Sequence, residues 1–183
     1  MKLPKRKPNR LPAFNYSTPG AYFITICTQD MRPILGTVVG GGALDAPSVH
    51  LTKYGRTVER FILSGDRVPS VHVDKYVIMP NHIHMILLIN GVLAPSEPDG
   101  TSRAPSPTNA VIPRFVSAFK RLCHQDIGKQ IFQRSYHDHV IRNVKDYQRI
   151  WRYVDNNPAR WCEDCFYTPA IPDFDFPGGF HEH

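Results

Sequence analysis

No stretch of the chain approaches the roughly 18 consecutive apolar residues that a membrane-spanning helix requires, so a membrane is not expected as a partner. No apolar core follows the basic opening Met1-Lys2-Leu3-Pro4-Lys5-Arg6-Lys7-Pro8, so no secretory signal is read there and the cytoplasm is the expected compartment. Cysteine is scarce: Cys27, Cys123, Cys162 and Cys165 stand at irregular spacing in 183 residues, which does not make a secreted disulfide framework. Cys162-Glu163-Asp164-Cys165 lacks the second ligand pair that a structural zinc would need. Internal repeats are absent, and strands and helices do not alternate strictly, which argues against a parallel βαβ architecture. A chain of this length and ordinary composition suits one domain, residues 1–183.

What is present in excess is base, and it is unevenly placed. Residues 1–10 hold five Lys/Arg and no acid, residues 11–110 hold seven of each sign, and residues 111–160 hold ten bases against four acids. Residues 161–183 hold five acids and no base, which brings the net charge to +6. A surface rich in base suits a polyanion, of which nucleic acid is the commonest, or is simply a solvated face. The arginine share favours the first reading, because a guanidinium fork matches phosphate oxygens. Arg114, Arg121, Arg134, Arg142, Arg149 and Arg152, with Lys120, are the candidate DNA contacts.

Tyr22 to Thr28, β-branched and aromatic after Pro19-Gly20, reads as a strand. Leu35 to Val39 is a candidate partner for it, with Gly40-Gly41-Gly42 as the turn. Leu51 to Leu63 has helical period and stops at Ser64-Gly65-Asp66. Val71 to Met79 reads as a second main strand, and His82 to Ile89 as a strand buried on both faces. From Gly91 to about Asn109 the composition shifts to Pro, Ser, Gly and Asp, the signature of an exposed, flexible loop. Val111 to Ile127 is helical, with Lys120 and Arg121 displayed off its apolar side; Ile131 to Ile141 is irregular or extended. Val144 to Asn157 is a helix ended by Pro158, and an irregular tail begins at about Trp161. The pattern predicts an α+β fold, a central antiparallel sheet with helices packed on it.

Two groups of residues carry chemistry. His82 and His84 alternate with Ile83, so on a strand both imidazoles share one face and can present two nitrogens to one divalent metal. An isolated H-x-H is more often a pair of hydrogen-bonded histidines at a strand end. On the helix, Tyr147, Ile150, Trp151 and Val154 form the apolar stripe, and Tyr153 and Asn157 project one turn apart at its flank. Two imidazole nitrogens and an amide oxygen give an ion three ligands and leave positions open for phosphate oxygens, while a tyrosine oxygen is a competent nucleophile for phosphorus. His137 and His139 form another H-x-H, read as DNA contact or packing rather than a second metal site.

In this arrangement the chain resembles the HUH single-tyrosine transposases, and within them the REP-associated tyrosine transposases. Four stretches carry the likeness: Tyr16 to Thr25, Met79-Pro80-Asn81-His82-Ile83-His84, Phe132 to Arg142, and Tyr153-Val154-Asp155-Asn156-Asn157-Pro158. They run in the family's order over most of residues 16–160. The resemblance implies the HUH endonuclease fold, of ferredoxin-like type, and metal-dependent cleavage and joining of single-stranded or hairpin DNA through a covalent 5′-phosphotyrosine. It implies His82, His84 and Asn157 as metal ligands, Tyr153 as nucleophile, and Mg²⁺ or Mn²⁺ as cofactor. The broader family often has glutamine where Asn157 stands. Tyr136 is the rival nucleophile, read as packing. A domesticated hairpin-binding regulator without catalysis is the alternative. The protein is expected to be a monomer or homodimer, nucleoid-associated when bound to DNA.

Overall fold

The computed structural model describes residues 17–40, 46–64, 70–90 and 110–168. The basic N-terminus, the turn residues Gly41 and Gly42, the stop at Gly65-Asp66, the loop Gly91 to Asn109 and the acidic tail beyond Thr168 lie outside the described residues. The central sheet has the strands β1 (Gly20–Cys27), β4 (Val71–Ile78), β5 (His82–Ile89) and β6 (His137–Ile141), ordered β4-β5-β1-β6 and antiparallel throughout. A separate two-stranded ribbon pairs β2 (Gly36–Val39) with β3 (Ser48–Leu51). The helices are α1 (Lys53–Leu63), α2 (Val111–Ile127) and α3 (Val144–Asn156). The fold is α+β, as its sequence pattern predicts.

Strand alternation sorts the sheet into two chemical faces. Tyr22, Ile24 and Ile26 of β1 stand opposite Leu87, Met85 and Ile83 of β5, and this apolar face receives α1 and α2. The intervening residues Phe23, Thr25 and Cys27 stand opposite Ile86, His84 and His82, and the inner part of that face receives Ile150 and Val154 of α3. The His82–Ile89 strand is buried on both sides for this reason, apart from the partly exposed Leu88. Its two histidines begin the strand on the α3 face.

Two close approaches fix α1. The Thr52 hydroxyl accepts from the Gly55 amide and donates to the Ile34 carbonyl, capping the helix and tying it to the segment before β2. A Cβ on Gly55 would lie 2.0 Å from the Leu35 carbonyl oxygen, so only glycine allows that contact.

Several elements differ from their sequence reading. Leu35–Val39 contributes β2, but it pairs with β3 and not with the first strand, whose two edges are taken by β5 and β6. Leu51 ends β3, so α1 begins after the Thr52 cap. In Ile131–Ile141, read as irregular or extended, the extended alternative holds for His137–Ile141, which form β6; an edge strand with one solvated side needs little apolar alternation. Trp151 is not in the buried stripe of α3: it is 37% exposed, with the Lys75 ammonium 3.7 Å from its ring centroid. That contact, the Lys75–Asp155 ion pair and the hydrogen bond from the Tyr147 hydroxyl to Asp74 tie α3 to β4.

Lys120 departs from its expected role as a DNA contact. It is buried in α2, and its ammonium donates to the carbonyls of Gln133, Arg134 and Ser135. Burial pulls its pKa down to about 8. It organises the chain that leads into β6 and has no face to offer a phosphate. Phe115 and Tyr136 are buried as well, and the packing reading of Tyr136 agrees with that. Lys120→Met removes the donor from three carbonyls, and it should lower unfolding stability by about 1–3 kcal/mol, seen as a lower urea midpoint with an unchanged slope.

Candidate active site

The start of β5 and the end of α3 meet over the α3 face of the sheet. His82 and His84 are 0% and 1% exposed, and their Nε2 atoms lie 3.0 Å apart. Tyr153, one turn before the end of α3, brings its hydroxyl to 3.2 Å from the His84 Nε2. Asn157, the C-cap residue of α3, is buried beside them, and Pro158 follows at once. The four residues singled out by spacing are therefore one cluster, drawn from two elements separated by more than sixty positions in the chain.

The surroundings of each imidazole fix which nitrogen faces inward. The Asn81 amide nitrogen donates to the Phe166 carbonyl at 2.8 Å and to the Thr168 hydroxyl, so the Asn81 oxygen is the atom turned to His82. That oxygen lies 2.8 Å from the His82 Nδ1, which must then carry the proton and leave the Nε2 lone pair free. The His84 Nδ1 lies 2.9 Å from the Thr25 hydroxyl, its cross-strand neighbour. Burial lowers both imidazole pKa values, that of His82 to about 4 and that of His84 well below the usual value, His82 adding to the effect at His84. Both rings are neutral at pH 7, the form that ligates a metal.

The segment after α3 supplies a residue that has no signal in the sequence. A 3₁₀ helix, Pro158–Glu163, turns the chain back so that the Asp164 carboxylate accepts from the Tyr153 hydroxyl at 3.1 Å and from the Asn157 amide at 2.8 Å. His82, His84 and Asp164 each offer a ligand atom, all within 4.8 Å of one another. Asp164 belongs to a tail without periodicity, and only the reversal after Pro158 brings it home. Phe166 follows, its ring 4.8 Å from that of His82 and 6.1 Å from that of His84.

The donor set fits a divalent ion. With its amide nitrogen on Asp164, Asn157 leaves its Oδ1 buried without a hydrogen-bond partner among the described residues. An orphaned amide oxygen beside two convergent imidazole nitrogens and a carboxylate is what a hard-to-borderline cation requires. Two donors about 2.1 Å from one ion and at right angles to it stand about 3.0 Å apart, as the two Nε2 atoms do. Without an ion the site holds Tyr153 in its phenol form: burial and the Asp164 carboxylate both push its pKa up.

The cluster opens into a cleft of about 1260 Å³ bounded by Phe23, Thr25 and His84 on the sheet, the α3 flank that bears Tyr153, and residues 163–166. Of the candidate DNA contacts, Arg149 and Arg152 line this cleft, joined by Lys145 and Arg160, which were not among those candidates. Arg134 and Arg142 are exposed at the two ends of β6 and are not in its lining, and Arg114 and Arg121 are exposed on α2, across the sheet. Tyr136 is buried away from the cleft, with the Lys120 ammonium 5.9 Å from its ring.

No protein-family model matches the chain. It is 30% identical over 174 residues to an uncharacterized protein of Haemophilus influenzae, covering 89% of this chain and 93% of that protein. Among solved structures, that of a REP-associated tyrosine transposase bound to a REP hairpin matches with a TM-score of 0.56, at 20% identity, over 85% of this chain and 74% of that one.

Two outcomes follow from the ligand geometry. Asn81→Ala should weaken Mn²⁺ binding by about 10- to 100-fold in calorimetric titration, because His82 loses the partner that fixes its tautomer. In metal-free protein, unfolding exposes imidazoles that take up protons near pH 6.5, while the folded core keeps His82 neutral down to about pH 4 and holds His84 well below its usual value. The unfolded state therefore binds more protons in that window, and the melting temperature should fall as pH drops from 6.5 to 4. His82→Gln should flatten that decline.

Proposed function

This chain belongs to the same family as the Haemophilus influenzae protein and has the fold of a tyrosine transposase, and we propose that it is a metal-dependent single-stranded DNA endonuclease and strand-transferase. The observation that carries the reading is the meeting of a tyrosine hydroxyl with two neutral imidazoles and an unpartnered amide oxygen in one basic-rimmed cleft. The substrate is hairpin-forming DNA with its single strand; the REP-associated transposase of similar fold is bound to a REP hairpin. No described helix is long and apolar enough to cross a membrane.

His82, His84, Asn157 and Asp164 would hold the ion, Mg²⁺ or Mn²⁺, which supplies charge stabilisation at a phosphodiester oxygen. The remaining work falls to side chains of this chain. Tyr153 attacks the phosphorus; its oxygen forms the new P–O bond, the bond to the 3′ oxygen breaks, and that oxygen leaves as a hydroxyl once protonated. The phenol proton is directed at Asp164, whose carboxylate already accepts it in a hydrogen bond. Against the opposing effect of burial, the Phe166 amide and the Asn157 side chain hold Asp164 below the usual carboxylate range, so it stays an acceptor at neutral pH. The ester to Tyr153 conserves the energy of the cleaved bond, and reversal onto another 3′ hydroxyl rejoins strands without ATP. Arg149, Arg152 and Lys145 line the path of the strand, with Arg134 and Arg142 available beyond it.

With Mn²⁺ and a labelled hairpin oligonucleotide drawn from repeats flanking the gene, the protein should form a denaturant-resistant adduct on a gel. Tyr153→Phe should abolish the adduct with nearly unchanged DNA affinity, and Tyr136→Phe should retain it. An adduct that survives in Tyr153→Phe and is lost in Tyr136→Phe would reassign the nucleophile.

A further inference from the structure

The cleft is electrically lopsided. Around Asp164 its lining holds Arg160 against two acids, Glu163 and Asp164, and the first of these pairs with Arg160 at 2.7 Å. Toward the N-terminus of α3 it holds Lys145, Arg149 and Arg152 against the single acid Asp146. A phosphate chain that enters at Tyr153 is drawn toward the second end.

That end contains a built group of side chains. Both oxygens of Asp146 are occupied: Oδ2 lies 2.8 Å from the His139 Nε2, and Oδ1 accepts from the Arg149 guanidinium at 2.6 Å. The Asp146 amide donates to the Asn143 side chain, which caps α3. Asp146 thus holds one residue of β6 and one of α3 in a fixed relation while leaving each with spare donors: the other guanidinium nitrogens of Arg149 and, in the imidazolium form, Nδ1 of His139. Arg149 is 71% exposed at its side chain and His139 49%, so both reach solvent in the cleft.

Register ties this group to the reaction centre. Thr25 stands between His84 and His137, and Phe23, two residues along β1, stands between Ile86 and His139. His139 is therefore on the same sheet face as the metal-site histidines, one side-chain row away, with the Phe23 ring between it and Tyr153. On α3, Asp146, Arg149, Tyr153 and Asn157 fall at helical spacing along one flank. Arg149 lies about 6 Å and Asp146 about 10 Å along the axis from Tyr153. At about 3.4 Å per nucleotide of stacked strand, these distances span two to three nucleotides.

We propose that His139 and Arg149, anchored by Asp146 and supplemented by Lys145, form a binding site for the backbone phosphate two to three nucleotides from the scissile one, so that the bound strand runs from Tyr153 along α3 toward its N-terminus. The assignment rests on the DNA-cleaving reading above and adds to it a direction for the strand. It gives the second H-x-H of the chain a task distinct from metal binding: His137 faces Phe166 with ring centroids 6.4 Å apart, and His139 faces the phosphate path.

The test uses the full-length chain and a fluorescent single-stranded oligothymidylate, which has no hairpin stem. Affinity is measured across a series of salt concentrations. The wild type should lose affinity linearly on a log–log plot. His139→Gln/Arg149→Gln should reduce the slope by about 0.7 for each phosphate that is no longer neutralised. Arg114→Gln/Arg121→Gln, on the opposite layer, should keep the wild-type slope. All four positions are exposed, and melting curves check that the variants fold. A wild-type slope in His139→Gln/Arg149→Gln, or an equal reduction in Arg114→Gln/Arg121→Gln, overturns the phosphate site while leaving the covalent chemistry intact. A flat response in the wild type overturns the DNA-acting reading and this site with it.

Discussion

Two uncharged imidazoles aimed at the same point are the constraint on which the molecule is organised. Their Nε2 atoms converge on one face of a sheet whose other face packs under α1 and α2, so burial there disfavours a proton on either ring. Each ring is held from behind: a carboxamide oxygen fixes the His82 tautomer, and a hydroxyl, able to donate or accept, holds the His84 ring in place. The alternation of β5 makes this possible. Ile83, Met85 and Leu87 fasten the strand to the core under α1 and α2, and the histidines are left on the side that α3 only partly covers.

The helix that bears the tyrosine is attached differently from the other two. α2 buries a long apolar flank and α1 buries Val58 and Ile62 with Tyr54 and Phe61 packed beside them, whereas α3 commits Ile150 and Val154 to the sheet and takes its remaining purchase from Tyr147–Asp74, Lys75–Asp155 and Lys75 on Trp151. Polar and cation–π contacts of this kind specify an orientation more than they add stability. They set the rotation of α3 about its axis, and with it the side on which Tyr153 and Asn157 emerge. Proline at 158 then ends the helix one residue past its last hydrogen-bonded turn, which makes Asn157 a terminal residue able to turn its oxygen inward.

Much of this was legible in the order of residues. Period two at His82–Ile89 and period 3.6 at Val144–Asn157 are strong local signals, and they were enough to pair His82, His84, Tyr153 and Asn157. What stayed hidden has a common cause: it depends on chain reversals and edges, where side-chain period carries little information. β6 is an edge strand, β2 chooses β3 over β1, and Asp164 arrives by a 3₁₀ turn. Lys120 failed as a surface residue because α2 is covered on a second side by the segment 133–135, a contact between parts of the chain that share no pattern. Trp151 failed in the opposite sense, since its position in the apolar stripe overhangs the sheet at β4.

The lock on His82 reaches forward through the chain as far as Thr168, by way of Asn81 and the Phe166 carbonyl. During synthesis the sheet, Tyr153, the two histidines and Asn157 are all made before the segment that supplies Asp164 and secures that lock. A nascent protein that has emerged only through α3 thus has a complete scaffold and an incomplete centre. The cluster is closed by some of the last described residues to leave the ribosome, after the rest of the architecture has had time to form.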